Sequence, residues 1–311
     1  MDSFIFIGDY AKTIQSENLQ QVIGNNNSIL EGIQRASVEE CVSYLKPKYD
    51  TSQAFLPVSK WDKSKSYNAG QTVYLDAPVY DATKLYALGS LTLQNGLVYS
   101  NTTAITVAEA FTLSKWSLLG TQYDLYYVTY PNPVFNYKSI YQKDTNVFWK
   151  NKNYICQVDT NVLSHEAKLQ IGYVSESVLN VFPDGKDGLK YWGVGSAYSV
   201  PENTLLTDSK WTPGDNRDQK LLEVCVNIAL YKAHMRIAPK NIPELRIINY
   251  IGHGEDREVR GQRVLYPTYC SLGWLQSAVI GNDITPNLPL LQPEQGSHIR
   301  YGSRTKNIND Y

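Results

Sequence analysis

The 311-residue chain is poor in the residues that carry most enzyme chemistry, with four histidines, four cysteines and two methionines. It contains no G-x-S-x-G, H-E-x-x-H or G-x-x-x-x-G-K-[ST]. A serine nucleophile elbow, a helical zinc pair and a phosphate loop are therefore not on offer. No histidine clusters with Cys or Asp at useful spacing, and only paired carboxylates from distant segments escape a search by spacing. We read the chain as non-enzymatic, with no metal and no cofactor. Cys41, Cys156, Cys225 and Cys270 lie far apart without a C-x-x-C, as expected of buried free thiols made in a reducing cytoplasm. No apolar run approaches the roughly 18 residues that span a bilayer. The opening MDSFIFIGDY has no basic stretch, and Asp9 interrupts its apolar run, so neither a signal peptide nor a membrane partner is expected. A net charge of -1 gives no bulk attraction to nucleic acid or lipid.

What is abundant is tyrosine: 24 Tyr and 6 Trp stand against 7 Phe, with most of the tyrosines between Tyr67 and Tyr198. The regions outside that span read as helical. Ser28 with Glu31 has the form of a capping box, and Ile29, Ile33, Ala36, Val38, Cys41, Val42 and Leu45 supply an apolar face ending before Pro47. After Asp215 or Asn216 as a cap, Leu221 to Tyr231 is apolar on too many sides for a surface helix. Pro239 ends it, and a second helix starting near Pro243 would bury Leu245, Ile247, Ile248 and Ile251. A third runs from about Thr268 to Ile280, capped by Gly281.

Between Val58 and Gly214 the pattern changes to short alternating strands, such as Thr72–Leu75, Leu97–Ser100 and Tyr123–Tyr130, bounded by Asn/Gly turns. A weak repeat closes on Ser-Lys-Trp at 59–61, 114–116 and 209–211. Its Tyr67, Gly70, Val73 and Tyr80, then Tyr99 and Trp116, resemble small chitin-binding-type β modules. The fold class expected is α+β: a small helical-bundle domain, residues 1–57 and 215–282, split by an all-β insert at 58–214. A polar arm follows at 283–311. The N-terminal helical unit is too small to stand alone, which favours the discontinuous domain.

Three phrases carry a further resemblance: SVEECVSYLKPKYDTSQAF at 37–55, DQKLLEVCVNIALYKAHMRIAPKNIPELR at 218–246 and YCSLGWLQSAVIGNDITPNLP at 269–289. In order and spacing they resemble the head–tail connector (adaptor) proteins of tailed bacteriophages. The large insert is similar to the decorated neck ring proteins of crAss-like phages. The resemblance covers roughly 130 residues. It implies a structural virion protein at the neck, assembled in the host cytoplasm as a ring of twelve copies beneath the portal. Its partners would be the portal protein, other neck or tail ring proteins, and genomic DNA passing through the lumen without sequence-specific binding. The insert and the run at 252–265 are both longer than the pattern expects.

Four sets of residues are candidate contacts. The arm supplies Ile299, Arg300, Tyr301, Arg304, Lys306 and Tyr311, for docking on the portal or a neighbouring subunit, or else a free terminus. The charged loop supplies Glu255, Asp256, Arg257, Glu258, Arg260 and Arg263, as inter-subunit ion pairs or a solvated loop; its His-Gly-Glu-Asp lacks metal-ligand spacing. His234, Arg236 and Lys240 suit either the negative end of a helix or a DNA lumen. Trp61, Tyr99, Trp116 and Trp211, with Tyr67, Trp149 and Trp192, suit either packing inside small β modules or stacking on sugars. The alternative function from the last set is a carbohydrate-binding decoration protein of the tail or capsid.

Overall fold

A computed structural model describes residues 3–136, 139–159, 182–184, 188–252, 257–259, 262–264, 267–280, 286 and 288. The chain is a mixture of helices and several small sheets. It divides into two compact units, residues 1–131 with 198–288 and residues 132–197 with 289–311. The β region is therefore not one separate body. Residues 58–131 and 198–214 belong with the helices, because their contacts run there. Val58 donates to the Ser3 carbonyl at 2.8 Å, Phe6 stacks on Tyr74 with centroids 5.0 Å apart, and Thr72 Oγ1 meets Asn216 Oδ1 at 2.6 Å.

The helical part is assembled from both ends of the first unit. A 3-10 turn at Ile7–Lys12 leads to α1 (Ser16–Ile23) and α2 (Asn27–Leu45). The cap of α2 is Asn26, whose side chain accepts from the Ser28 amide, rather than Ser28 itself. Its buried stripe is Leu30, Gln34, Ser37, Cys41 and Leu45, one residue round from the expected Ile29 and Ile33, which are half-buried. Aliphatics sit on both sides of that boundary, so spacing alone leaves the rotation of the helix open.

The helix α4 (Gln219–Ile237) is capped by Asp218, which accepts from the amides of Lys220 and Leu221; neither Asp215 nor Asn216 takes that role. Nine of its residues are buried, as the breadth of its apolar face requires. It packs on α2, where the Cys41 and Cys225 sulfurs approach to 3.2 Å. All four cysteines are buried free thiols. The end of α2 is fastened to α6 (Ser271–Ile280) by Lys48 Nζ and Tyr49 Oη, each donating to the Ala278 carbonyl at 2.9 Å. In α5 (Glu244–Tyr250) the expected burial is reversed: Leu245 and Ile247 are exposed and Arg246 is buried. The run at 252–265 carries an antiparallel hairpin, β13 (Arg257–Val259) and β14 (Gln262–Val264), where an irregular loop is expected. Gly281 lies outside the described residues.

The β region holds three copies of one module. In the first, β1 (Ser59–Lys60) runs parallel to β3 (Thr72–Tyr74), which pairs antiparallel with β7 (Leu125–Val128), and β7 with β12 (Trp211–Pro213). In the second, Val79 makes the parallel bridge to β4 (Leu91–Gln94), followed by β5 (Leu97–Asn101) and β6 (Trp116–Thr121). In the third, Val134 bridges β8 (Asn146–Trp149), followed by β9 (Lys152–Cys156) and β10 (Trp192–Ala197). A short helix α3 (Gly188–Tyr191) precedes β10. A two-residue turn joins the central pair in the second and third copies. Asn95-Gly96 and Lys150-Asn151 all have positive φ, as the right-handed twist of a tight hairpin demands. In the first copy the second module, residues 76–124, occupies that turn, and Leu75 donates to the Asp124 carbonyl at its base.

Each copy opens on an aromatic–Asx pair with a tyrosine five residues past the Asx. The Tyr67 hydroxyl accepts from the Asp62 amide at 2.7 Å, Tyr86 from Asp81 at 2.8 Å and Tyr141 from Asn136 at 2.7 Å. Three residues after each tyrosine the chain enters the left-handed region, at Gly70 (φ 75°), Gly89 (φ 78°) and Asp144 (φ 67°). The expected repeat is therefore real but differently anchored. Ser-Lys-Trp at 114–116 and 209–211 introduce the closing strand, Leu-Lys-Tyr-Trp at 189–192 is their counterpart, and the Ser-Lys-Trp at 59–61 belongs to the opening strand.

Candidate functional site

The first unit carries a cleft of about 370 Å³, lined by Gln53, Gly70, Thr72, Tyr130, Arg217 and Leu288 among others. Arg217, in its lining, belongs to an ion cluster assembled from two ends of the chain. Arg217 forks onto Asp9 (Nη1–Oδ2 2.8 Å, Nη2–Oδ1 2.7 Å) and onto Asp215 (Nε–Oδ1 2.8 Å, Nη2–Oδ2 2.8 Å). Its remaining donor reaches the Phe4 carbonyl at 2.7 Å. All five guanidinium donors are used, and the Arg217 and Asp9 side chains are only 4% and 5% exposed.

Burial pushes the Asp9 carboxyl up, against the opposing pull of Arg217. Burial also works against ionisation of Asp215, but the hydrogen bonds and charge of Arg217 outweigh it and hold that carboxyl below its usual range. Burial opposes the charge on Arg217 too, and the two carboxylates overcome it, raising its pKa. Asn216 Nδ2 donates to the Gly70 carbonyl at 2.8 Å, and its Oδ1 meets Thr72. Leu288, beyond α6, is buried and lines this cleft.

The aromatic residues raised as sugar platforms sit inside the modules. Trp61, Trp116 and Trp211 are buried, as are Tyr67, Trp149 and Trp192. In each copy the closing tryptophan meets the motif tyrosine edge-on: Tyr67–Trp211 at 5.3 Å, Tyr86–Trp116 at 5.3 Å and Tyr141–Trp192 at 5.5 Å between centroids. Tyr99, half-buried, packs on Phe111. A stacking platform must show an open ring face. These rings instead fill small cores that their few aliphatics leave incomplete.

At the end of α4, Arg236 and Lys240 are exposed, whereas His234 is half-buried. Burial, and then the nearby charge of Arg246, hold the His234 imidazole below its usual pKa. Arg246 Nη2 donates to the Thr13 carbonyl at 3.2 Å, so this residue ties α5 to the N-terminal turn. Nearby in sequence, Met235 and Ile237 of α4 and Leu245 of α5 are about half exposed or more.

In the charged run, Arg257 and Glu258 fall on β13 and Arg263 on β14, with Glu258 opposite Arg263 in register. Glu255, Asp256 and Arg260 lie outside the described residues, as do Ile299, Arg300, Tyr301, Arg304, Lys306 and Tyr311 of the arm. No helix among the described residues is long and apolar enough to cross a membrane. Sequence reasoning missed the Asp9–Arg217–Asp215 cluster, because 208 positions separate Asp9 from Arg217. Neither a family model nor a curated protein matches the sequence.

Proposed function

We propose that the chain is a structural virion protein, a head–tail connector ring beneath the portal that joins the capsid vertex to the tail and leaves a channel for DNA. One observation carries the reading. The three phrases that resemble connectors, separated by more than 160 positions at their widest gap, converge in one packed helical assembly. Cys41 of the first touches Cys225 of the second, and Lys48 and Tyr49 of the first hold Ala278 of the third. Nothing local to these phrases forces them together, so their convergence supports a common domain interrupted by the β modules.

In this reading the portal docks at the end of α4 and the start of α5, where Met235, Ile237 and Leu245 are exposed. The exposed Arg236 and Lys240 serve as a mildly basic edge to the channel, consistent with a lumen that must not hold phosphates tightly. In this reading the β modules contact other neck proteins. The test is co-expression with the portal protein of the same virus, followed by imaging of the purified complex. Twelve copies on the portal are expected. A portal that never captures this chain, together with virions that lack it at ring stoichiometry, would overturn the proposal.

A further inference from the structure

Cys41 in α2 and Cys225 in α4 come from the two halves of the split helical assembly, 184 positions apart, and they meet in its core. The Cys225 thiol donates to the Cys41 sulfur at 3.2 Å, and both residues are 0% exposed. The other two cysteines are satisfied by backbone. Cys156 donates to the Val158 carbonyl at 3.0 Å, and Cys270 to the Pro267 carbonyl at 3.0 Å while accepting from the Gly273 amide. Of the four, only Cys41 and Cys225 have another thiol as hydrogen-bond partner.

A disulfide holds its sulfurs at about 2.0 Å, so this pair must close by roughly 1.2 Å. Small rotations about the two Cα–Cβ bonds cover that distance between helices already in contact. The pair also lies close to an opening. Leu221 lines the 370 Å³ cleft, and Cys225 stands one turn further along the same face of α4. Burial and then the Cys41 sulfur push the Cys225 thiol well up, while the charge of Arg217, itself in the cleft lining, pulls the other way. A thiol held in its protonated form is slow to react, which keeps the pair open while the chain folds.

We infer that Cys41 and Cys225 are a latent disulfide, closed by hydrogen peroxide outside a reducing compartment, that staples the two halves of the helical assembly. One sulfur attacks the O–O bond as a thiolate and becomes a sulfenic acid; the departing hydroxide takes up that thiol's proton and leaves as water. The second sulfur displaces the sulfenic hydroxyl, which leaves as water with the second proton. The two sulfurs together lose two electrons, and the peroxide gains them. A cross-link restricts the unfolded chain more strongly the longer the loop it closes, and this loop takes in more than half the chain. The cellular setting rests on the virion reading, whereas the bond itself does not.

The full-length chain is exposed to hydrogen peroxide, quenched with catalase, unfolded with iodoacetamide and mapped by mass spectrometry of its non-reduced peptides. Cys41 and Cys225 are expected in one cross-linked species, with Cys156 and Cys270 alkylated. The oxidised protein melts higher than the reduced one, and dithiothreitol returns it to the starting midpoint. Cys225→Ala shows neither the link nor the rise, whereas Cys156→Ala with Cys270→Ala keeps both. Four alkylated cysteines after exposure overturn the inference. So do oxygen added to Cys41 or Cys225 in place of the link, a link to Cys156 or Cys270, or a melting midpoint that does not rise. Should Cys225→Ala fail to fold, the peptide map and melting curve of the wild type decide alone. A link in a chain that no portal captures leaves the inference standing and removes the ring reading; portal-bound rings whose chains never link do the reverse.

Discussion

Arg217 concentrates more consequence than any other side chain described. Replacing it with methionine would leave Asp9 and Asp215 facing each other with no cation, Asp9 deeply buried. Removing one partner of a buried pair costs roughly 3–5 kcal/mol, and the Arg217→Met variant should lose stability on that scale in denaturant titrations. Adding Asp9→Asn should recover part of the loss. A second residue-scale prediction concerns His234, whose pKa is depressed below its usual 6.5 by burial and by Arg246. Between the folded and unfolded pKa values the unfolded chain binds the extra proton. Stability therefore falls as pH drops through about 6.5 toward the folded pKa and is regained above it. His234→Gln should flatten the denaturation midpoint across that window, and an unchanged slope would refute the assignment. Neither contact was legible in the sequence. The Asp9 partner is 208 positions from Arg217, and His234 reads equally well as an ordinary basic residue at a helix end.

Among the elements, the module turn is held by its tyrosine hydroxyl, which both accepts from and donates to the same Asx backbone. In the second module the distances are 2.8 Å and 3.2 Å. Tyr86→Phe removes both bonds and leaves the Asp81 groups without that partner, a cost of about 1–3 kcal/mol. Gly70→Ala should cost at least as much, since its φ of 75° disfavours a side chain and the new Cβ would meet the Tyr130 ring. Both are measured as shifts in the melting midpoint.

The strands β3, β5 and β7 were readable from alternation between Asn/Gly turns, because period two needs only a few residues to show. Helix rotation was harder. In α2 the choice between Ile29/Ile33 and Leu30/Gln34 turns on tertiary packing. In α5 the buried residue is an arginine, held to the Thr13 carbonyl, where Leu245 was expected. The module repeat was visible only in part. The Trp at 61 and those at 116 and 211 look alike in sequence yet stand at opposite ends of the module, and only strand pairing separates them.

For the whole molecule, the split helical assembly and the β modules divide the work. The helices were expected to form one discontinuous domain, since the N-terminal unit is too small to stand alone, and they do pack together within one unit. The division at 131/132 and 197/198 was not, because the polar-aromatic composition is continuous across it. The exposed Met235, Ile237 and Leu245 make the last prediction. These side chains add little to folding where they stand, so Ile237→Asp with Leu245→Lys should change stability by no more than about 1 kcal/mol in sum, typical of exposed sites. Docking is different. A few well-packed side chains at the centre of an interface carry a large share of its energy, and a charge buried there without a partner adds a penalty. The double variant should therefore melt with the wild type but lose capture by the portal at least tenfold in a pull-down titration. Unchanged capture would place the docking surface elsewhere, while a matching fall in melting temperature would make these side chains part of the core. The two readouts together separate a surface kept for a partner from one that merely happens to be apolar.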